Sequence, residues 1–484
     1  MTTIHDQAMN YVYQQVLHRL LGFFSRGERT ALQLFIQRLV VEAGGMEHIG
    51  GHKVLVTHSG TRESSYTLAF LRAAQLSIAG RAPATFNLRV ATLRHPGQEQ
   101  ATLNNIHRSF SALFVYDDPR VEVLMLDGAE VLAFNHQAPL SPQGRELYRR
   151  NVLMSGHLAA SDRHLEMGDS HRLASGNFLG KVAYWNKAVD TLVSSHSPRE
   201  QRQYLQAFVV AARQLGQRGE SRAVLDFGDL FRVLNDFGQD YYRQLCPQLS
   251  ETCDHAPGHF EVRRPVSYLG LHDLVSESEG ARESLLCEFL GMHWDTPCEN
   301  LYASPLLMTH AYGLQARYVN GLSYEEGVRQ YLQLTTVLMR KKNLCENLIQ
   351  LTLSDYSTPE RIEDRRLQAD LLLSQSLGLS EVQLVCLLFA PFVNGAAGLE
   401  RFMRACHPQM LVGLAEVHKA LRGEPAMDQV VQWLGDVSGL PLPLLGKLYT
   451  LPAHDSNLPP LPETGVARHL GERSDVALEE PIGR

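Results

Sequence analysis

The chain has 484 residues, of which 44% are hydrophobic and 20% charged, and it carries a formal charge of -7. That balance is globular, and the length suits two or three domains whose cores need no disulfides to stand. A mildly acidic whole excludes binding to nucleic acid by bulk electrostatics, because a phosphate footprint needs a basic patch.

The first residues, Met1 to Asp6, lack the basic start and apolar run of a signal peptide. Met9, Val12, Val16, Leu20 and Phe23 then recur at helical spacing, and Ser25 with Glu28 forms a capping box for a second helix. That helix carries Leu32, Phe35, Ile36 and Leu39 on one side and stops at Gly44-Gly45. The pattern changes at Lys53-Val-Leu-Val-Thr57, a short apolar run rich in β-branched residues. A loop and a helix through Leu68, Leu71, Ala74 and Leu76 follow, then strands at 88–93 and 121–126 separated by a helix over about 99–113. Asp127-Gly128 offers a turn into Val131 to Phe134. This alternation predicts a small parallel sheet with right-handed crossovers.

From about residue 140 the pattern is helical. Ser197-Pro198-Arg199-Glu200 caps one helix, Ser323 with Glu326 another, and Thr358-Pro359 and Ser380 with Gln383 open two more. The most apolar stretch, residues 382–393, is too short to span a bilayer and contains Pro391. The run Arg340-Lys341-Lys342 ends a helical pattern, where positive charge complements the helix dipole. Residues 246–265 read as a long connection, and 454–484, with few large apolar residues, as a disordered tail. The expected fold is mainly α and multi-domain, with a small, mostly parallel α/β segment of three or four strands near the N-terminus. Its expected units are a helical pair over 1–48, the α/β segment over 49–138, helical domains over 139–250 and 251–453, and the tail.

The loop between the first strand and its helix, Thr57-His-Ser-Gly-Thr-Arg-Glu-Ser64, is the best candidate for ligand chemistry. Ligands of open α/β sheets bind where strands end and helices begin, because free backbone N–H groups and the helix dipole attract anions there. His58 is suited to proton transfer and Gly60 to close backbone approach; Ser59, Thr61 and Ser64 supply hydroxyls, and Arg62 suits a phosphate. Arg94, at the end of the next strand, is expected to face the same crevice. The same hydroxyls also cap the following helix, as in most strand–helix turns. The segment is neither a P-loop nor a GxGxxG fingerprint.

Val54-Leu-Val-Thr57-His58-Ser59, a helix, and a strand ending Thr92-Leu-Arg94-His-Pro96 resemble the ligand-binding domain of the initiation-factor-2B-like sugar-phosphate isomerases over about residues 45–130. The resemblance implies a nucleotide- or sugar-phosphate-binding fold with Thr57-His58-Ser59 in the site. The glycine-rich continuation and acidic catalytic position of that family are missing, so it does not extend to isomerase activity. A second resemblance, to the helical order of Ras-type exchange-factor domains, rests on residues 182–192, 198–215, 225–234 and 264–274. It implies action on a partner protein without chemistry.

Other constellations have plainer readings. His157, His164 and His171 are interleaved with Asp162, Glu166 and Asp169, but seven residues of helix span about 10.5 Å, too far for one ion. Cys246, Cys253, His255 and His259 match no compact zinc spacing. The seven cysteines (246, 253, 287, 298, 345, 386 and 406) form no CxxC pair, which points to a reducing compartment. Leu461-Pro-Glu-Thr-Gly465 spells a sortase acceptor without the export signal or the apolar and basic continuation that sorting needs. The sequence therefore leads to the expectation of a soluble, cytoplasmic regulatory or interaction protein whose partner is another protein, with no cofactor, no metal and no membrane span. The alternative is an enzyme or sensor for a phosphorylated small molecule at residues 53–64; no catalytic residue is assigned.

Overall fold

The computed structural model describes residues 4–159, 168–214, 224, 226–245, 260–262, 264–274, 279–293, 301, 304–341 and 346–451. The chain opens with α1 (Ile4–Phe23) and α2 (Arg26–Glu42). The predicted capping box forms: Glu28 N–H donates to Ser25 Oγ at 3.2 Å, and Ser25 N–H donates to Glu28 Oε2 at 2.8 Å. The other oxygen of Glu28 accepts from the Tyr66 hydroxyl at 2.6 Å, so a helix cap also pins α3 (Arg62–Ala79).

A six-stranded sheet forms the centre of the first half of the chain. Its strands are β1 (Lys53–Thr57), β2 (Asn87–Arg94), β3 (Val121–Asp127), β4 (Glu130–Ala133), β5 (Thr191–Ser194) and β6 (Ser267–Gly270). They lie in the order β4-β3-β2-β1-β5-β6, parallel throughout except for the β3–β4 hairpin, which turns at Asp127-Gly128 as expected. Successive side chains of a strand point to opposite faces, and both faces are covered. Val54, Val56, Leu88, Val90 and Met125 pack with residues of α1, α2, α3 and α4 (Gln100–Ala112). Leu55, Ala91, Leu124 and Leu126 pack with residues of α6 (Gly168–Tyr184), α7 (Pro198–Gln214) and α8 (Phe227–Leu245).

The sheet is thus larger than the expected three or four strands. β5 and β6 are four residues each and fall in a region read as helical. A four-residue strand carries too little periodicity to announce itself, and its apolar residues extend the pattern of the preceding helix. The helical reading of 182–192 fails for that reason: α6 ends at Tyr184 and β5 begins at Thr191.

Leu285, Leu286, Phe289, Leu290 and Met292 pack in the core of the sheet's first face, while the described residues from 301 onward form a helical body that shares a core with α5 (Pro142–Ala159) and with parts of α6 and α8. Leu147, Val152, Leu153 and Leu158 of α5 share one core with residues 301–448, including Leu387, Phe392, Phe402 and Leu445. The fold is mainly α. Among the described residues no single helix is long and apolar enough to cross a membrane; the helices Pro359–Leu377 and Glu381–Phe389 jointly hold an apolar window but meet at 92°.

Candidate ligand site at the carboxyl edge of the sheet

β1 sits centrally, paired in parallel with β2 on one side and β5 on the other. The connections from β1 and β5 leave towards opposite faces, since α3 belongs to one covering layer and α7 to the other. In an open parallel sheet the carboxyl ends of two such strands leave a crevice, which is where ligands of this architecture bind. At that edge here, residues 58–64 follow β1, and Ser195 to Ser197 follow β5, which ends at Ser194.

The first loop is tightly built. His58 N–H continues the ladder by donating to Ala91 O at 2.9 Å, and Thr92 donates its hydroxyl to His58 O at 3.0 Å. Gly60 N–H donates to His58 Nδ1 at 3.1 Å, which fixes the ring as the Nε2–H tautomer. The imidazole is 1% exposed and stands edge-on to Phe110, and burial pushes its pKa down to about 3. His58 is therefore neutral at physiological pH and braces the turn from beneath. Gly60 holds φ +82°, and a Cβ there would meet Thr102 Cγ2 at 2.7 Å, so both backbone conformation and space call for glycine.

Above this brace lie three hydroxyls. Ser59 Oγ is 3.2 Å from Thr61 Oγ1 and 3.3 Å from Ser64 Oγ, and Thr61 Oγ1 is 3.1 Å from Ser64 Oγ. Thr61 is also the N-cap of α3, accepting from Ser64 N–H at 3.3 Å. The triangle is exposed and sits at the positive end of a helix dipole, an arrangement that accepts anionic oxygens. Both readings of the loop, cap and ligand platform, describe the same atoms.

The two arginines are placed differently from the hydroxyls. Arg62 forms an ion pair with Glu283 at 2.7 Å. Arg94 donates from Nη1 to Gln98 O at 3.4 Å and Oε1 at 3.2 Å, and lies beside Asp127, its register partner on β3. Its carbonyl accepts from Tyr148 of α5 at 3.2 Å. The structure thus brings His58, Ser59, Gly60, Thr61 and Ser64 together, and places Arg94 in a neighbouring cluster with no hydrogen bond to the hydroxyl loop among the described residues.

Sequence reasoning missed the second wall of the crevice. Ser197 and Glu200 form the predicted capping box, with Glu200 N–H on Ser197 Oγ at 3.2 Å and Ser197 N–H on Glu200 Oε2 at 2.9 Å. His196 N–H donates to Ser194 Oγ at 3.2 Å, and Tyr268 donates to His196 O at 3.0 Å. The cap was legible; that it follows a strand beside β1 was not, because β5 was not recognised. Of the histidine series, His157 is buried edge-on to Phe392 while His171 meets the ring of His95, so those two stand in separate surroundings. His164, Asp162, Glu166, Lys342, Cys246, Cys253, His255, His259 and the 454–484 tail lie outside the described residues, as does the side chain of Asp169. Comparison of the chain with protein-family models, curated proteins and solved structures returned no match.

Proposed function

We propose that the protein binds a phosphorylated small molecule, of the nucleotide or sugar-phosphate class, across the crevice between β1 and β5. The observation that carries the reading is the strand order: the reversal of winding falls at β1, directly above the hydroxyl loop. A phosphate seated on Ser59, Thr61 and Ser64 meets hydroxyl donors and the amino end of α3, while the rest of the ligand lies towards Ser194 and His196. His58 is shut away beneath the loop and is not placed to exchange a proton with a ligand seated on the hydroxyls, which suits a binding or sensing role for this loop.

The test is a thermal-shift panel of nucleotides and sugar phosphates on the whole chain, followed by calorimetry on any ligand that acts. A ligand that binds only the native state at 100 times its Kd adds about 2.7 kcal/mol. Ser59→Ala removes one corner of the triangle and leaves the Thr61–Ser64 cap hydrogen bond of α3 in place, so it is expected to weaken binding with little change in the melting temperature of the free protein. No shift across the panel sinks the proposal.

A second reading, a surface for a protein partner, draws on apolar side chains left in solvent by the helical body. Leu334 and Val337 on one helix and Leu367 and Leu371 on another are each about half exposed or more, at helical spacing. Pull-down with the Val337→Glu variant as control separates a specific partner from adhesion.

A further inference from the structure

We infer that the helical body carries a divalent-metal site built from His310, Asp370 and Glu381. His310 lies on the helix Pro305–Leu314, Asp370 on Pro359–Leu377, and Glu381 in the first turn of Glu381–Phe389. One ligand atom from each falls within 4.8 Å of the other two. The imidazole is 1% exposed, whereas the Asp370 and Glu381 side chains are 30% and 24% exposed. The cluster is closed on the histidine side and reachable by water on the carboxylate side.

The geometry around His310 points to an ion rather than to a hydrogen bond. Nε2 stands 3.1 Å from Asp370 Oδ1, an ion pair only if the ring is protonated, and neither buried atom has a hydrogen-bond partner among the described residues. Two ligands about 2.0–2.1 Å from one tetrahedral ion stand roughly 3.3 Å apart, so the separation fits an edge of a coordination shell. The atoms that orient the ligands are also present. His310 Nδ1 is 2.9 Å from the Tyr324 hydroxyl; a proton on Nδ1 donated to that oxygen leaves the Nε2 lone pair for a metal. Glu381 accepts from Arg366 at 2.8 Å and from the Tyr318 hydroxyl at 3.3 Å, which holds its carboxylate in place. Tyr318 comes from a π-turn, Gln315–Val319, that directly follows the helix of His310; such turns are frequent at functional sites.

Charge agrees. Arg366 is shared between Glu381 and Glu363, so three carboxylates (Asp370, Glu381, Glu363) against one guanidinium leave a formal -2 for a divalent ion to offset. One imidazole and two carboxylates, with no thiolate, suit Zn2+ or Mn2+ and leave a coordination position for water. The site is remote in sequence from the phosphate-binding loop and independent of that proposal.

The experiment is metal quantification by plasma mass spectrometry on the full chain, stripped with chelator and then dialysed against ZnCl2 or MnCl2. Wild type is expected to retain about one ion per chain of one of these metals, and Asp370→Asn and Glu381→Gln less than about a tenth of that, from the loss of one of three ligands. Both changes keep size at partly exposed positions, and circular dichroism confirms that the fold is kept. Tyr324→Phe is expected to weaken affinity about 10- to 100-fold while stoichiometry at saturation holds. Wild type that retains neither metal, or variants that bind as wild type does, would overturn the assignment.

Discussion

An imidazole shut off from water gives up the proton that solvent would otherwise stabilise, and His58 and His157 are in that position. Burial pushes both His58 and His157 down to about 3, against an ordinary value of 6.5. Between those values the unfolded chain binds more protons than the native one. Stability is therefore complete above about pH 6.5 and falls as pH drops towards 3, by at most roughly 1.4 kcal/mol per pH unit for each histidine. His157 isolates the effect: both of its nitrogens lack hydrogen-bond partners among the described residues, and its ring meets Phe392. His157→Leu is expected to flatten the acid slope, so that urea midpoints at pH 5 and pH 8 differ less than in wild type. A slope equal to that of wild type would show that other groups set it. His58 does not permit the same exchange, since its Nδ1 holds the Gly60 N–H. At this scale the sequence identified His58 as a member of the loop but not its burial, because the covering ring, Phe110, arrives from α4.

α3 shows how an element is read correctly and still hides its main tie. Leu68, Leu71, Ala74 and Leu76 predicted the helix, and a charged residue on a helix of that kind ordinarily faces solvent. Instead Arg72 is fully buried. Its guanidinium donates to Leu113 O and Phe114 O, both at 3.1 Å, at the carboxyl end of α4, and to Asp118 at 2.8 Å in the turn before β3. Arg120 donates to the same carboxylate at 2.7 Å. Burial alone would raise the Asp118 carboxyl, but the hydrogen bonds from Arg120 and the charge of Arg72 outweigh it and hold it below its usual range. Arg72→Met is expected to cost about 3–5 kcal/mol, the range for breaking a buried pair from one side. Arg72→Lys should recover only part, because an ammonium cannot fork to two carbonyls and a carboxylate. Urea unfolding measures both; a loss below about 1 kcal/mol for Arg72→Met would mean that Arg120 alone satisfies Asp118. Local signals, such as the capping boxes at Ser25, Ser197 and Ser380, were legible because both partners lie within four residues. The Arg72 tie is not, since its partners are brought together only by the fold.

The same distinction between local and assembled information governs the whole molecule. β1, β2 and β3 follow one another with a helix between each pair, and their grammar was legible; β5 and β6 enter from residues 191–194 and 267–270, across two or more helices. What they add is the far side of the crevice and, with α6, α7 and α8, the cover over one face of the sheet. A fragment of residues 1–138 holds every element of the α/β segment as the sequence outlines it. It lacks the cover for Leu55, Ala91, Leu124 and Leu126, and it leaves β1, whose central residues Val54, Leu55 and Val56 are fully buried in the intact chain, as an open edge. Apolar parallel strands are stable with both faces covered, and an uncovered apolar edge invites pairing between copies. The fragment is therefore expected to aggregate or to bind a hydrophobic dye without near-ultraviolet dichroism, whereas a fragment of residues 1–293, which restores β5, β6 and the covering helices, should regain fixed tertiary signals. A soluble, cooperatively unfolding 1–138 fragment would show that α1 to α4 suffice for the sheet. In that case the β5 wall would be an addition to a self-standing unit, and ligand binding by the fragment would then reveal whether the hydroxyl loop needs Ser194 to Ser197 opposite it.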